Sequence, residues 1–180
     1  MPPTDEQQDG PPMTLRLILV RHAKSSWDDP GQDDHDRPLN ARGRAAAPRI
    51  AEWLAARGHV PAEVVASTAR RTVETWELMA PALGECTVMR RDPALYHAHA
   101  RRMLEVLRHC AASPVLMLGH NPGIGEFAGR LLRKAPESQR FKTYPTCATL
   151  VAEFDAGDWS DVAFGTGRVV DFVTPRDIAS

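Results

Sequence analysis

Two short apolar runs, each leading into a histidine, constrain this chain more than any other feature. Leu15-Arg16-Leu17-Ile18-Leu19-Val20 ends in Arg21-His22, and Val115-Leu116-Met117-Leu118 ends in Gly119-His120. Runs of this length, rich in Leu, Ile and Val, read as buried strands rather than helices. Strands without polar alternation belong to the covered sheet of an α/β protein. In such sheets the chemistry sits just beyond the carboxyl ends of the strands. If the two runs are parallel neighbours, both imidazoles emerge at the same edge.

The rest of the chain supplies the covering layers. Asn40 predicts the start of a helix over 42–57, with Ile50, Trp53 and Leu54 on one face and Gly58 as its stop. Residues 63–66 read as a short strand. Ser67 is the expected cap of a further helix carrying Val73, Trp76, Leu78 and Met79 before Pro81. A strand over 87–89 and a helix over 100–110 follow. Asn121-Pro122 should open another helix, with Asn as N-cap and Pro in the first turn. Two late strands, 149–154 and 168–173, are expected to alternate apolar with polar residues. The pattern predicts a three-layer α/β/α sandwich on a mostly parallel, mixed sheet. A single domain over 14–180 should follow a disordered, Pro- and Gln-rich tail over 1–13. Trp53 and Trp76 are expected as core anchors. The longer loops, 25–39 and 134–146, are candidate rims of a site.

Composition narrows the partners. The net charge of −1 gives nucleic acid little electrostatic purchase. No stretch approaches the roughly 20 apolar residues of a membrane span. The first residues show no secretory signal, so a cytoplasmic monomer is expected. Cys86, Cys110 and Cys147 lack metal-ligand or disulfide spacing and read as small buried or half-buried residues. His97 and His99 read as a solvated turn, and no metal or other cofactor is expected. Asp28, Asp29, Asp33, Asp34 and Asp36 of the first long loop lack calcium-loop spacing and read as surface charge.

Chemistry is expected where the strands end. Arg21 sets a fixed cation beside His22, a side chain that titrates near neutral pH. Arg71, early in the helix after the short strand, can reach the same crevice as His120 and the start of the 121–122 helix. Such a pocket suits a phosphoryl group. His22 would attack phosphorus while Arg21, Arg71 and a protonated His120 hold the oxygens, and water would then free His22. Neutral His22 with charged His120 would give a bell-shaped pH profile. Arg37 either lines the pocket, binding phosphate or substrate, or anchors the acidic loop through Asp34 or Asp36.

The run from Leu17 to Trp27 resembles the signature of the histidine phosphatase superfamily, in its small SixA-type phosphohistidine phosphatase branch. The stretches 37–43, 67–75 and 119–123 fit the same family in order and spacing. The resemblance implies a phosphoglycerate mutase-like fold, His22 as phosphoacceptor, and Arg21, Arg71 and His120 as the phosphate pocket. Arg70 is the alternative to Arg71. Larger relatives have Gly where this chain has Ala23 and use a glutamate acid with no clear counterpart near 92–96. The resemblance implies a metal-independent phosphatase, with protein phosphohistidine as preferred substrate. A small phosphorylated metabolite is the alternative substrate, and a catalytically weak phosphate-binding module the alternative role.

Overall fold

The computed structural model describes residues 13–84 and 88–178. The expected tail lies outside the described residues except for Met13, as do Cys86 and Thr87. Six strands form one mixed sheet. In chain order they are β1 (Thr14–Arg21), β2 (Glu63–Ala66), β3 (Val88–Arg91), β4 (Val115–Gly119), β5 (Thr149–Asp155) and β6 (Arg168–Val173). Across the sheet they run β3-β2-β4-β1-β5-β6. The β1·β4, β2·β4 and β2·β3 pairs are parallel, whereas β5 is antiparallel to both β1 and β6. The helices are α1 (Ala41–Ala56), α2 (Arg70–Leu83), α3 (Ala100–Arg108), α4 (Gly123–Leu131), α5 (Gln139–Thr143) and α6 (Pro175–Ile178).

Alternate side chains of one strand feed two cores. Leu17, Leu19 and Met117 pack with α3, α4 and Trp159, whereas Ile18, Val20 and Leu118 pack with α1 and α2. Leu17, Ile18, Leu19 and Val20 are all fully buried. Each contributes roughly 1.5–3 kcal/mol, so β1 is fixed from both faces. This is the three-layer α/β/α arrangement that the periodicity predicts. The expected alternation fails in β5, where Thr149, Leu150, Val151 and Ala152 are all buried because β1 and β6 flank it and both faces are covered. Trp76 is a core residue as expected. Trp53 is only partly buried, bracketed by Arg57 and His59.

Two helix starts differ from expectation. Ser67 does not cap α2: its Oγ accepts from Ala69 N and faces His120, and the cap position falls to Ala69. α4 begins at Gly123 with Pro122 before it, while Asn121 Oδ1 accepts from Gly125 N. Close approach also dictates two glycines. A Cβ on Gly43 would lie 2.2 Å from Lys24 O, and one on Gly123 would lie 1.7 Å from Ala98 O. Gly43 thus lets α1 pack against the segment that carries His22.

Candidate active site

Register brings the histidines together. Arg21 of β1 pairs with Gly119 of β4, and His22 N donates to Gly119 O, so His22 and His120 leave adjacent strands at the same height. Their ring centroids are 5.2 Å apart. Thr75 Oγ1 on α2 accepts from Ala23 N at 3.0 Å, which pins the backbone beyond His22.

The partners of each ring assign its tautomer. His22 Nδ1 lies 2.7 Å from Ala23 O, an acceptor only, so Nδ1 carries the proton and Nε2 keeps its lone pair. Burial, followed by the charges of Arg21, Arg71 and Arg37, pulls the His22 pKa down to about 3 against the lift from Ala23 O. At neutral pH this ring is therefore neutral, with the proton on Nδ1 and a free lone pair on Nε2. His120 Nε2 lies 2.8 Å from Ser67 Oγ, which already accepts from Ala69 N. Among the described residues the Ser67 hydroxyl hydrogen has no other acceptor, so it is satisfied by donating to Nε2, and the proton of neutral His120 then sits on Nδ1. That nitrogen is buried and has no protein partner among the described residues. Burial first, then His22, Arg71 and His97, pull the His120 pKa down to about 2, with Asp34 opposing. Desolvation and the neighbouring cations favour the neutral His120 ring in this fold, against the protonated ring expected from the sequence, and Nδ1–H is then a donor without a net charge.

The arginines surround this pair. Arg21 Nη1 donates to Tyr144 O at 3.0 Å and its buried Nε has no protein partner among the described residues. Arg71 is only 4% exposed and its Nε is likewise unpartnered among those residues. Arg70, by contrast, is exposed and bonded to Glu74, which decides between the neighbours in favour of Arg71. Arg37 is buried and bonds Asp34, Ser25 Oγ and Ser26 O, while its guanidinium covers the exposed Trp27 ring at 3.6 Å. It anchors the loop, as one of its two expected roles requires, and its charge also reaches His22.

Sequence reasoning missed Asp34. Far from being mere surface charge, it accepts from Arg71 Nη2 at 3.1 Å, from Arg37 Nε at 3.1 Å and from Tyr96 Oη at 2.5 Å. Its main-chain oxygen accepts from Arg71 Nη1 at 2.7 Å. Burial alone would raise its pKa, but the bonds from Tyr96 and Arg71 outweigh that and hold it well below the usual carboxylate range. Its spacing of three from Arg37 was the available signal. His97 lies on an exposed turn, as expected; its ring meets Tyr96 at a tilt, 3.9 Å between centroids, and lies 6.4 Å from His120, so the turn also rims the site. A cavity of about 280 Å3 beside His120 is lined by His97, His99, Asn121 and Glu126. The start of α4 is less open than expected, because Ile124 N and Gly125 N are bonded to His120 O and Asn121 Oδ1.

Two neighbouring histidines and buried guanidiniums thus gather at the carboxyl ends of parallel strands in an α/β fold. The sequence profile of the histidine phosphatase superfamily (branch 1) matches residues 17–99. The chain belongs to this superfamily, in its SixA-type branch, and has the phosphoglycerate mutase-like fold. It is 33% identical over 169 residues to the uncharacterised Rv1276c of Mycobacterium tuberculosis, covering 87% of this chain and all of that one. An uncharacterised chloroplastic protein of Arabidopsis thaliana is 35% identical over 131 residues, 66% of this chain, and the match spans 60% of the plant protein's length. The solved structure of the provisionally assigned phosphohistidine phosphatase SixA of Nakamurella multipartitia superposes with a TM-score of 0.75 at 29% identity, covering 92% of this chain and 99% of that one. Among the described residues, no helix is long and apolar enough to cross a membrane.

Proposed function

We propose that this chain is a phosphatase that takes a phosphoryl group onto His22 Nε2, with a phosphohistidine side chain of a protein as its preferred substrate. The observation that carries the reading is the Ala23 O contact, which leaves Nε2 as the lone-pair nitrogen beside His120 and the two guanidiniums. Nε2 forms a bond to phosphorus as the bond to the substrate's imidazole nitrogen breaks, and that nitrogen keeps the electron pair. Arg21, Arg71 and His120 Nδ1–H bind the oxygens and stabilise the charge spread over them. Water then attacks phosphorus, the P–Nε2 bond breaks, and inorganic phosphate leaves. The protein's own cations supply the positive charge, so the reaction should proceed in EDTA.

The leaving group argues for phosphohistidine. Asp34, the carboxylate bound to Arg71, is held ionised and cannot donate a proton near neutral pH. Glu126, at the edge of the adjoining cavity, is exposed and paired with Arg130. An alkoxide leaving group needs a proton donor, whereas an imidazole protonated on its distal nitrogen leaves as the neutral ring. The SixA-type relatives fit this reading.

The test is phosphate release in EDTA from a phosphohistidine-bearing protein, p-nitrophenyl phosphate and a panel of phosphorylated metabolites, using wild type and His22→Ala. Preferred, His22-dependent turnover of the phosphoprotein is expected. Turnover of small phosphates alone would move the substrate to metabolites, and no His22-dependent turnover would reduce the site to phosphate binding.

A further inference from the structure

Beside the phosphate pocket runs a second feature that the reaction does not use. Two adjoining cavities, of about 570 and 320 Å3, share Arg42, Thr146, Pro175 and Arg176 and so form one open groove. Lys24, Arg42, Arg49, Arg140 and Arg176 line it, and no acidic side chain does. Arg42, Ala45, Ala46 and Arg49 fall at i, i+3, i+4 and i+7 on α1, so the two alanines form a low floor between cations. Arg140 is paired with Asp177, and Arg49 donates to Ile178 O at 2.7 Å. Among the described residues, Lys24, Arg42 and Arg176 have no carboxylate within ion-pair distance, in a chain whose net charge is −1. Gathering like charges in a concavity is unfavourable without an anionic partner, and the walls concentrate their field outward.

Position ties the groove to the site. Lys24 lies two residues beyond His22, and Thr146 precedes Cys147, whose amide donates to the carbonyls of Arg21 and His22. The cations are spread over four chain segments and two adjoining cavities, which suits an extended polyanion better than a small oxyanion. The lining has no aromatic side chain on which a nucleic-acid base could stack.

We propose that this groove docks an acidic polypeptide segment of the phosphorylated protein substrate; the inference rests on the protein-phosphatase reading above. Complementary charge there steers encounter and holds the phosphorylated residue near His22.

Fluorescence anisotropy with labelled oligoglutamate, at rising salt, tests the proposal. The proteins are the wild type, His22→Ala, the double variant Arg42→Gln with Arg176→Gln, and the corresponding double Glu variant. Unchanged unfolding midpoints establish that the variants are folded. The proposal expects binding that weakens with salt, is unaffected by His22→Ala, falls about tenfold in the Gln pair and falls further in the Glu pair. No binding, equal binding by all four proteins, or tighter groove-dependent binding of labelled oligothymidylate overturns it. Turnover of a phosphohistidine-bearing protein is read in parallel. His22-dependent turnover without groove-dependent binding overturns the docking proposal alone. Groove-dependent binding without His22-dependent turnover overturns the phosphatase reading instead.

Discussion

Asp34→Asn removes the carboxylate that joins Arg71, Arg37 and Tyr96. Hydrogen bonds to charged groups contribute about 1.5–3 kcal/mol, roughly twice the neutral kind. Asn keeps one acceptor oxygen, so either the Arg37 bond to Oδ1 or the Arg71 and Tyr96 bonds to Oδ2 are lost and the remainder weaken, about 3 kcal/mol in all. The Asp34 side chain is 42% exposed, and solvent screening reduces the sum further, to about 2 kcal/mol. For a domain of this size that lowers the unfolding midpoint by about 4–8 °C at pH 7. The sign of the pH dependence follows from the depressed pKa: the stabilisation is fully present above the ordinary carboxylate range near pH 4 and is lost as pH falls below it. The gap between wild type and variant should therefore close under acid, as calorimetric scans at several pH values would show. A midpoint that stays level or rises at pH 7 would refute the reasoning, because Asp34 would then not be offsetting repulsion among the guanidiniums.

Three further expectations concern the same pocket. His22 and His120 are held neutral in the fold but titrate near pH 6.5 when unfolded, so the stability they allow above that pH is lost as pH falls toward 3. The loss approaches about 1.4 kcal/mol per pH unit for each, and denaturant titrations of His120→Gln should show a visibly flatter acid slope. Arg71→Lys should lower kcat/KM on a phosphorylated substrate by about a hundredfold or more, while Arg70→Ala stays within about twofold of wild type; comparable losses in both would contradict the assignment. Ser67→Ala leaves His120 Nε2 without its donor and frees the ring to take the wrong tautomer. A fall in kcat of about tenfold is expected, with the unfolding midpoint moving little, and wild-type kcat would remove Ser67 from the positioning of His120.

The strands were legible because they are buried on both faces and leave unbroken apolar runs. Leu15–Val20 and Val115–Leu118 therefore announced both the sheet and the edge at which His22 and His120 meet. Arg71 was legible through its motif, since Thr75, one helical turn beyond it, must face the same segment to bond Ala23. The α2 cap was misread because a buried serine before a helix looks the same whether it serves the helix or a neighbouring imidazole. Asp34 was hidden among four other aspartates, and only the tertiary fold of that loop distinguishes the one that meets Arg71 and Tyr96. The nearness of the solvated His97 turn to the site was hidden for a similar reason: a left-handed residue at φ 55° and a tilted contact with Tyr96 place it at the rim, and neither has a periodic signature. The charge state of His120 is likewise a sum over residues from several segments, so no local pattern carries it.

The central claim is that phosphorus is carried on His22. Rapid quenching of the protein during turnover of a phosphohistidine-bearing substrate, followed by intact-mass and peptide mapping under alkaline conditions, tests this directly. The account predicts an acid-labile adduct of one phosphoryl group on the peptide containing His22, absent from His22→Ala together with turnover. Turnover that survives in His22→Ala, or an adduct on another residue, would contradict it.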